Sequence, residues 1–83
     1  MAISRGISSV VDRNGAVVLD AKRGVIMTMN ATGGFVWKRL EERVTLSGIA
    51  RELAEDTGVE IGEVEADLRE FAEVLRAAGL LTP

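Results

Sequence analysis

Apolar residues follow two different periods along this 83-residue chain. In the first third they lie in short runs broken by turn residues, which predicts β-strands. Beyond residue 30 they recur every three or four positions, which predicts helices. The strands are expected at residues 8–12, 16–20 and 25–29. Asn14-Gly15 predicts a tight hairpin, and a second short turn at residues 21–24 completes an antiparallel meander whose third strand is an edge.

The first helix is predicted to begin at a cap provided by Asn30 or Thr32 and to run to about residue 42. Two glycines, Gly33 and Gly34, fall in its first turn. They either weaken the helix or allow its backbone to approach the strands closely, and the sequence leaves both alternatives open.

Two amphipathic helices are predicted to follow. Thr45 caps the second helix, and Gly58 suits the left-handed position that ends it. The third helix spans about residues 62–78, and its core face carries Val64, Leu68, Phe71 and Leu75. Residues 1–7 are expected to be a loosely held lead-in, and the tail is expected to pack back through one leucine.

Three strands followed by three helices predict one α+β domain over residues 1–83, a winged helix-turn-helix in which the three-stranded antiparallel sheet forms the wing. A winged helix suggests DNA binding. However, the chain has a net charge of −3, and residues 60–78 carry six carboxylates against two arginines. Because phosphate contacts need cations, a nucleic-acid partner is not expected.

Composition also limits chemistry. The chain has no Cys and no His, which removes thiolate nucleophiles, the usual zinc ligands and the commonest general base. The spacing of its carboxylates indicates a solvated helix face rather than a catalytic dyad or a metal site. We therefore expect no enzymatic activity, no cofactor and no metal. No apolar run approaches the length of a membrane span and no signal peptide is evident, so a cytoplasmic protein without a membrane partner is expected.

Residues 24–37 contain no charge, although 28% of the chain is charged. The third strand falls here, and an edge strand normally carries Lys, Pro or an inward charge that prevents pairing. An unprotected apolar edge is either a liability or a docking site to which an extended peptide adds as a strand, and the functional interpretation depends on the second alternative. The predicted peptide-binding residues lie on this strand and on the third helix: Val25, Ile26, Met27, Thr28, Met29, Val64, Asp67, Leu68, Phe71 and Leu75. For Val64, Phe71 and Leu75, simple core packing is an equally good interpretation.

Several segments, taken in order, resemble a known family. They are residues 19–24 (LDAKRG), 29–33 (MNATG) with Trp37, 45–50 (TLSGIA) with Leu53, and Asp67-Leu68 with Phe71, Leu75 and Gly79-Leu80-Leu81. Together they resemble the PqqD-like recognition elements of ribosomal-peptide (RiPP) biosynthesis, in particular the standalone leader-binding branch of lasso-peptide clusters. One departure is Met27, where many relatives carry an aromatic residue. The resemblance therefore does not define the shape of the side-chain pocket.

The resemblance implies that a precursor leader peptide pairs with the third strand and lies against the third helix. It further implies two protein partners, a separate leader peptidase and a macrolactam cyclase, to which the bound leader is delivered in lasso-peptide maturation. The alternative is a peptide chaperone for a radical or redox enzyme in another peptide-derived natural-product or cofactor pathway.

Overall fold

A computed structural model of the chain describes residues 1–82. It contains five strands and three helices in the order β1 (Ala2–Ile3), β2 (Ile7–Asp12), β3 (Gly15–Asp20), β4 (Val25–Met29), α1 (Ala31–Glu41), α2 (Leu46–Thr57), α3 (Ile61–Ala77) and β5 (Leu81–Thr82). The predicted α+β fold, a three-stranded antiparallel sheet followed by three helices, is confirmed. No helix in the described range combines the length and apolar character needed to cross a membrane.

The central sheet has the strand order β2-β3-β4, so β4 is an edge, as the meander predicts. Asp12 pairs with Gly15 across a two-residue turn, and Asp20 pairs with Val25 across the second turn. The Asp12 carboxylate accepts a hydrogen bond from the Asn14 N–H at 2.7 Å, which stabilises the first turn.

The chain ends form a second, two-stranded sheet that the sequence interpretation missed. β1 pairs antiparallel with β5, with Ile3 opposite Leu81, and the Ser4 N–H donates to the Leu80 carbonyl at 3.0 Å. The expected loose lead-in is therefore wrong. Both Leu80 and Leu81 are buried, where packing through a single leucine was expected.

The helix ends follow the predicted capping residues. The Asn30 side chain accepts from the Gly33 N–H at 2.8 Å, so Asn30 rather than Thr32 caps α1. Thr45 caps α2 through a hydrogen bond from the Gly48 N–H, and Gly58 ends α2 with φ 74°. Because a left-handed φ carries no steric penalty for glycine, Gly58 stops the helix cleanly.

The start of α1 lies directly against the β2–β3 hairpin. An ideal Cβ on Gly34 would lie 2.7 Å from the Gly15 carbonyl carbon and 2.9 Å from its Cα, which no real Cβ tolerates. Gly15 has φ 148°, and an ideal Cβ on it would collide with the Met29 carbonyl oxygen. Of the two alternatives for the glycine pair, the structure therefore supports close approach of the helix and strand backbones.

The core consists of two adjoining apolar clusters. One joins the inner face of the sheet to α1, α3 and the chain ends, and it contains Val18, Trp37, Leu75, Leu80 and Leu81 among others. The second lies between the three helices and contains Val36, Ile49, Ala50, Val64 and Leu68. Phe71 and Leu40 are half-buried and pack against both clusters, so the sheet and the helix pair share one continuous interior.

The turn before β4 is fastened to the end of α3. Asp20 is buried, and its carboxylate accepts from the Arg23 N–H at 3.2 Å. The Arg23 guanidinium donates to the Ala78 carbonyl at 3.3 Å and lies over Gly79, whose φ is 78°. These contacts hold the N-terminal end of β4 at a fixed position relative to α3.

One ion-pair cluster links α1 to α2. The Arg39 guanidinium donates to Glu42 at 2.8 Å and to Glu52 at 3.2 Å, and it lies 4.7 Å from the Phe35 ring centre. The hydrogen bond to Glu42 is the main cause that raises the pKa of Arg39, with a further contribution from Glu52. The cluster is solvent-accessible, so it contributes little stability and mainly orients the two helices.

We predict that Gly34→Ala lowers the free energy of unfolding by about 1–3 kcal/mol, since the added methyl group collides with the Gly15 backbone. Urea denaturation followed by circular dichroism measures this change. The matched control is Gly62→Ala in α3, where the nearest atom is a movable Glu60 carboxylate oxygen. It should leave stability unchanged or slightly raised. Equal effects of the two substitutions would contradict the close approach.

Candidate functional site

An open groove of about 560 Å³ separates β4 from α3. β4 and the start of α1 form one wall, α3 forms the other, and the end of α2 closes one end. Its lining is mostly apolar: Met27, Thr28, Met29, Asn30, Thr32, Gly33, Val36, Leu53, Thr57, Val59, Val64, Asp67, Leu68, Phe71 and Val74. Two further pockets in residues 1–82 each have a volume of about 270 Å³.

The strand wall follows from the alternation of β4. Val25, Met27 and Met29 are half-buried and face the helices, whereas Ile26 and Thr28 are exposed and alternate towards the outer face of the sheet. Thr28 also borders the groove, because it lies on the free edge of β4. Met27 and Met29 therefore present flexible thioether side chains to the groove. Such side chains adapt to ligand groups of different shape.

The helix wall includes a strip along one face of α3 that is about two turns long. Asp67, Phe71 and Val74 lie at i, i+4 and i+7, so they share one face that looks into the groove. Phe71 has the largest side chain of the groove and lies next to Gly33. An added Cβ on Gly33 would lie 3.5 Å from the Phe71 ring, an ordinary contact, but 3.1 Å from the Met29 Cβ, so the glycine mainly lets α1 lie close to β4.

Five of the fifteen lining residues have polar side chains, namely Thr28, Asn30, Thr32, Thr57 and Asp67. Asp67 carries the only ionisable side chain among the lining residues, and it is solvent-exposed. The Asn30 side chain is already engaged in capping α1. An apolar ligand segment with one donor or cation near Asp67 fits this arrangement chemically.

The backbone of β4 adds a second kind of binding surface. In an antiparallel ladder, the residues of one strand direct their N–H and C=O groups alternately to the two sides. The two-residue turn makes Asp12 and Gly15 a hydrogen-bonded pair, so Val17 and Leu19 also point towards β2. The alternate residues Ala16, Val18 and Asp20 then bond to Met29, Met27 and Val25, respectively.

Ile26 and Thr28 therefore direct their N–H and C=O groups away from the sheet. Within residues 1–82, β4 pairs with no strand other than β3, so this flank has no strand partner. It offers two donors and two acceptors in the spacing of a strand edge, next to the apolar groove. A peptide in extended conformation satisfies both surfaces together.

The structure brings together seven of the ten predicted binding residues as groove lining: Met27, Thr28, Met29, Val64, Asp67, Leu68 and Phe71. Val25 and Ile26 belong to the same edge but do not line the groove. Leu75 is fully buried in the core. It lies behind the groove rather than in it, so of the two interpretations given for Leu75, core packing agrees with its position.

Sequence reasoning missed the residues that α1, α2 and the α2–α3 turn contribute, namely Asn30, Thr32, Gly33, Val36, Leu53, Thr57 and Val59. It also missed Val74 on α3. The strip of α3 carried a usable signal, because Val74 extends the i, i+4, i+7 row of Asp67 and Phe71. Leu53 and Val59 close one end of the groove. Their position depends on how α2 packs against α3, which no local sequence pattern predicts.

Comparison with known proteins agrees with this geometry. The family model for coenzyme PQQ synthesis protein D (PqqD) matches residues 15–81. A solved structure described as TbiB1 in complex with the TbiA(beta) leader peptide superposes with a TM-score of 0.92 at 30% identity, covering 98% of this chain and 94% of that chain. A lasso peptide synthetase B1 complexed with the leader peptide gives 0.88 at 25% identity, covering 98% and 95%. A search of curated proteins finds no match.

The three-stranded sheet, the helices that follow it and the groove at its free edge are those of a RiPP recognition element. The chain belongs to the PqqD family. The resemblance that the sequence suggested is thereby confirmed.

The orientation of the β4 backbone is directly testable in the free protein. We expect the Ile26 and Thr28 amides to exchange with deuterium at least about tenfold faster than the Met27 amide, because only the Met27 N–H is bonded within the sheet. NMR-detected hydrogen exchange measures each amide. On β2, the Val10 amide should be slow and the Ser9 amide fast for the same reason. Protection of Ile26 and Thr28 equal to that of Met27 would mean that the flank is already occupied.

Proposed function

We propose that this protein binds the leader segment of a ribosomally synthesised precursor peptide by adding it as a strand to β4. The observation that carries the proposal is the unpaired flank of Ile26 and Thr28 beside an apolar groove. Backbone bonds to these two residues give affinity that tolerates sequence variation. Side chains entering the groove give specificity.

Each predicted binding residue has a distinct part in this proposal. Met27, Met29, Val64, Leu68 and Phe71 contact the apolar side chains of the leader. Asp67 contacts a donor or a cation at the rim, while Val25, Ile26 and Thr28 belong to the receiving edge. Leu75 acts indirectly, since it supports Phe71 and Leu68 from the core behind them.

The two solved relatives support the proposal, because both are described as complexes with a leader peptide. The description of the second as lasso peptide synthetase B1 favours a lasso pathway for this chain as well. The family is described by a protein of coenzyme PQQ synthesis. This description is consistent with the alternative, a peptide chaperone for a radical or redox enzyme. Under either proposal the protein acts by binding and carries out no reaction itself.

In the lasso pathway the protein delivers the bound leader to a separate leader peptidase and to a macrolactam cyclase. Holding a flexible substrate next to an enzyme raises its effective concentration, which accelerates cleavage without a catalytic group in the adaptor. For this role the protein needs a groove that binds the leader and needs no catalytic group.

We predict that Thr28→Pro weakens binding of the cognate leader about tenfold, because proline removes an N–H that points to the ligand and leaves a ligand carbonyl unpaired. Isothermal titration calorimetry with the synthetic leader, up to tens of micromolar protein, measures the effect. Wild-type protein that binds no leader in this range would refute the proposed function.

Two control variants separate loss of the ladder bond from other effects of Thr28→Pro. Thr28→Val keeps the N–H and a branched side chain of the same size, so it should bind like wild type. Ser9→Pro places proline at an outward-pointing N–H on the opposite edge of the sheet, and it should also retain affinity. Similar losses from Ser9→Pro and Thr28→Pro would mean that proline acts by disturbing the sheet.

A cleavage assay tests the proposed delivery. Adding this protein to the precursor and its separate leader peptidase should increase the rate of leader removal at least about tenfold, through the raised local concentration. Thr28→Pro should give a smaller increase at the same concentration, while Thr28→Val should match wild type. A leader that binds tightly but is cleaved equally fast without the protein would contradict delivery and leave binding intact.

A further inference from the structure

The outer face of the central sheet is unusually apolar for a solvent-facing surface. Val10 is 73% exposed, Ile26 68% and Val17 48%, and half-buried Leu19 lies between the latter two. The strand register makes this a continuous surface, with Val10 opposite Val17 and Leu19 opposite Ile26. Of these residues only Ile26 lies on β4, the edge strand beside the groove, whereas Val10 lies on β2 at the opposite edge of the sheet.

A strand that adds to β4 extends this outer face as well as the groove. Side chains at directly opposite positions of neighbouring strands point to the same face of a sheet. The ligand residues opposite Met27 and Met29 therefore enter the groove. The residue between them, opposite Thr28, and the residue opposite Ile26 point to the outer face.

The two faces of β4 thus make different demands on alternate ligand residues. Next to Thr28 a polar or small side chain is adequate. Next to Ile26 the ligand side chain meets an aliphatic group that water otherwise covers, and Leu19 lies one strand further along the same row. Cross-strand contact between two apolar side chains stabilises strand pairing, whereas a polar partner forfeits that gain.

We propose that Ile26 forms a second specificity subsite on the outer face of the sheet, separate from the groove. It selects an aliphatic or aromatic residue at the ligand position that pairs with Ile26, adjacent in sequence to the residue that faces Met27. The preferred ligand therefore has two consecutive apolar residues, one for each face, in place of strict alternation. This inference rests on the proposed function, because it requires a strand on β4.

The position of Ile26 next to the added strand identifies the bound peptide as the occupant of this subsite. Neighbouring strands lie about 4.8 Å apart, so Ile26 adjoins the added strand. Val10 is two strands further away and lies about 14 Å from it. Val10 is therefore a matched control, since it is equally exposed and apolar on the same face but out of the ligand's reach.

Peptide selection tests the subsite and does not require the precursor sequence. Full-length wild-type protein, Ile26→Thr and Val10→Thr are each used to select from a polyvalent phage library of random dodecapeptides. We expect wild type and Val10→Thr to enrich the same motif, with two neighbouring apolar residues. Ile26→Thr should retain the groove-facing apolar position and lose the preference at its neighbour. Threonine keeps the branched shape and strand propensity, so all three proteins should fold.

The selected peptide then quantifies the effect by calorimetric titration. Ile26→Thr should weaken binding about threefold to fivefold, and Val10→Thr should leave it unchanged. A peptide with serine at the outward position should bind wild type and Ile26→Thr equally. A motif without outward preference, or one that survives Ile26→Thr, would overturn the subsite while leaving strand addition intact. Failure of wild type to enrich any sequence would instead count against the proposed function, and the subsite would fall with it.

Discussion

The contact of Gly34 with the Gly15 backbone determines how the helices sit on the sheet. With no side chain on either residue, the first turn of α1 lies directly on the β2–β3 hairpin. The chain leaves β4 through a single residue, Asn30, and turns beneath the sheet instead of continuing beside it. Within residues 1–82 no later strand pairs with the outer flank of β4, and α3 lies across the groove from it.

The free edge is also held in place at both ends. Asn30 caps α1 immediately after β4, and the buried Asp20 with Arg23 fastens the preceding turn to the end of α3. These contacts connect both ends of β4 to the helices in the structure without ligand. A preorganised groove lowers the ordering cost of binding, which falls mainly on the flexible peptide in the proposed function. The methionines that line it retain some adaptability within that fixed frame.

Features with a local physical cause were predictable from the sequence. The β2–β3 hairpin, the caps at Thr45 and Gly58 and the edge position of β4 each follow from residue type or from strand order. The two turn residues are Arg13 and Asn14, and Gly15 begins β3. β1 and β5 were missed because two-residue strands have no periodicity, and their pairing joins residues about eighty positions apart. The family resemblance indicated where the site as a whole lies.

The candidate site was predictable only where one element provides it. Met27 and Phe71 were found from strand alternation and helix periodicity, whereas Leu53 and Val59 enter the groove through the packing of α2 on α3. Leu75 illustrates the reverse case. Its position in the helix pattern cannot distinguish the groove from the core behind it, and only the packed structure assigns it to the core.

Trp37 has a practical consequence for experiments. It is the one tryptophan of the chain, it is fully buried, and it is not among the groove-lining residues. In the described structure its indole N–H has no hydrogen-bond partner, so the ring sits in apolar surroundings. Its fluorescence should therefore be blue-shifted and should report the integrity of the core rather than occupancy of the groove. Intrinsic emission can thus verify the fold of each groove variant during the same titration in which another signal records the ligand.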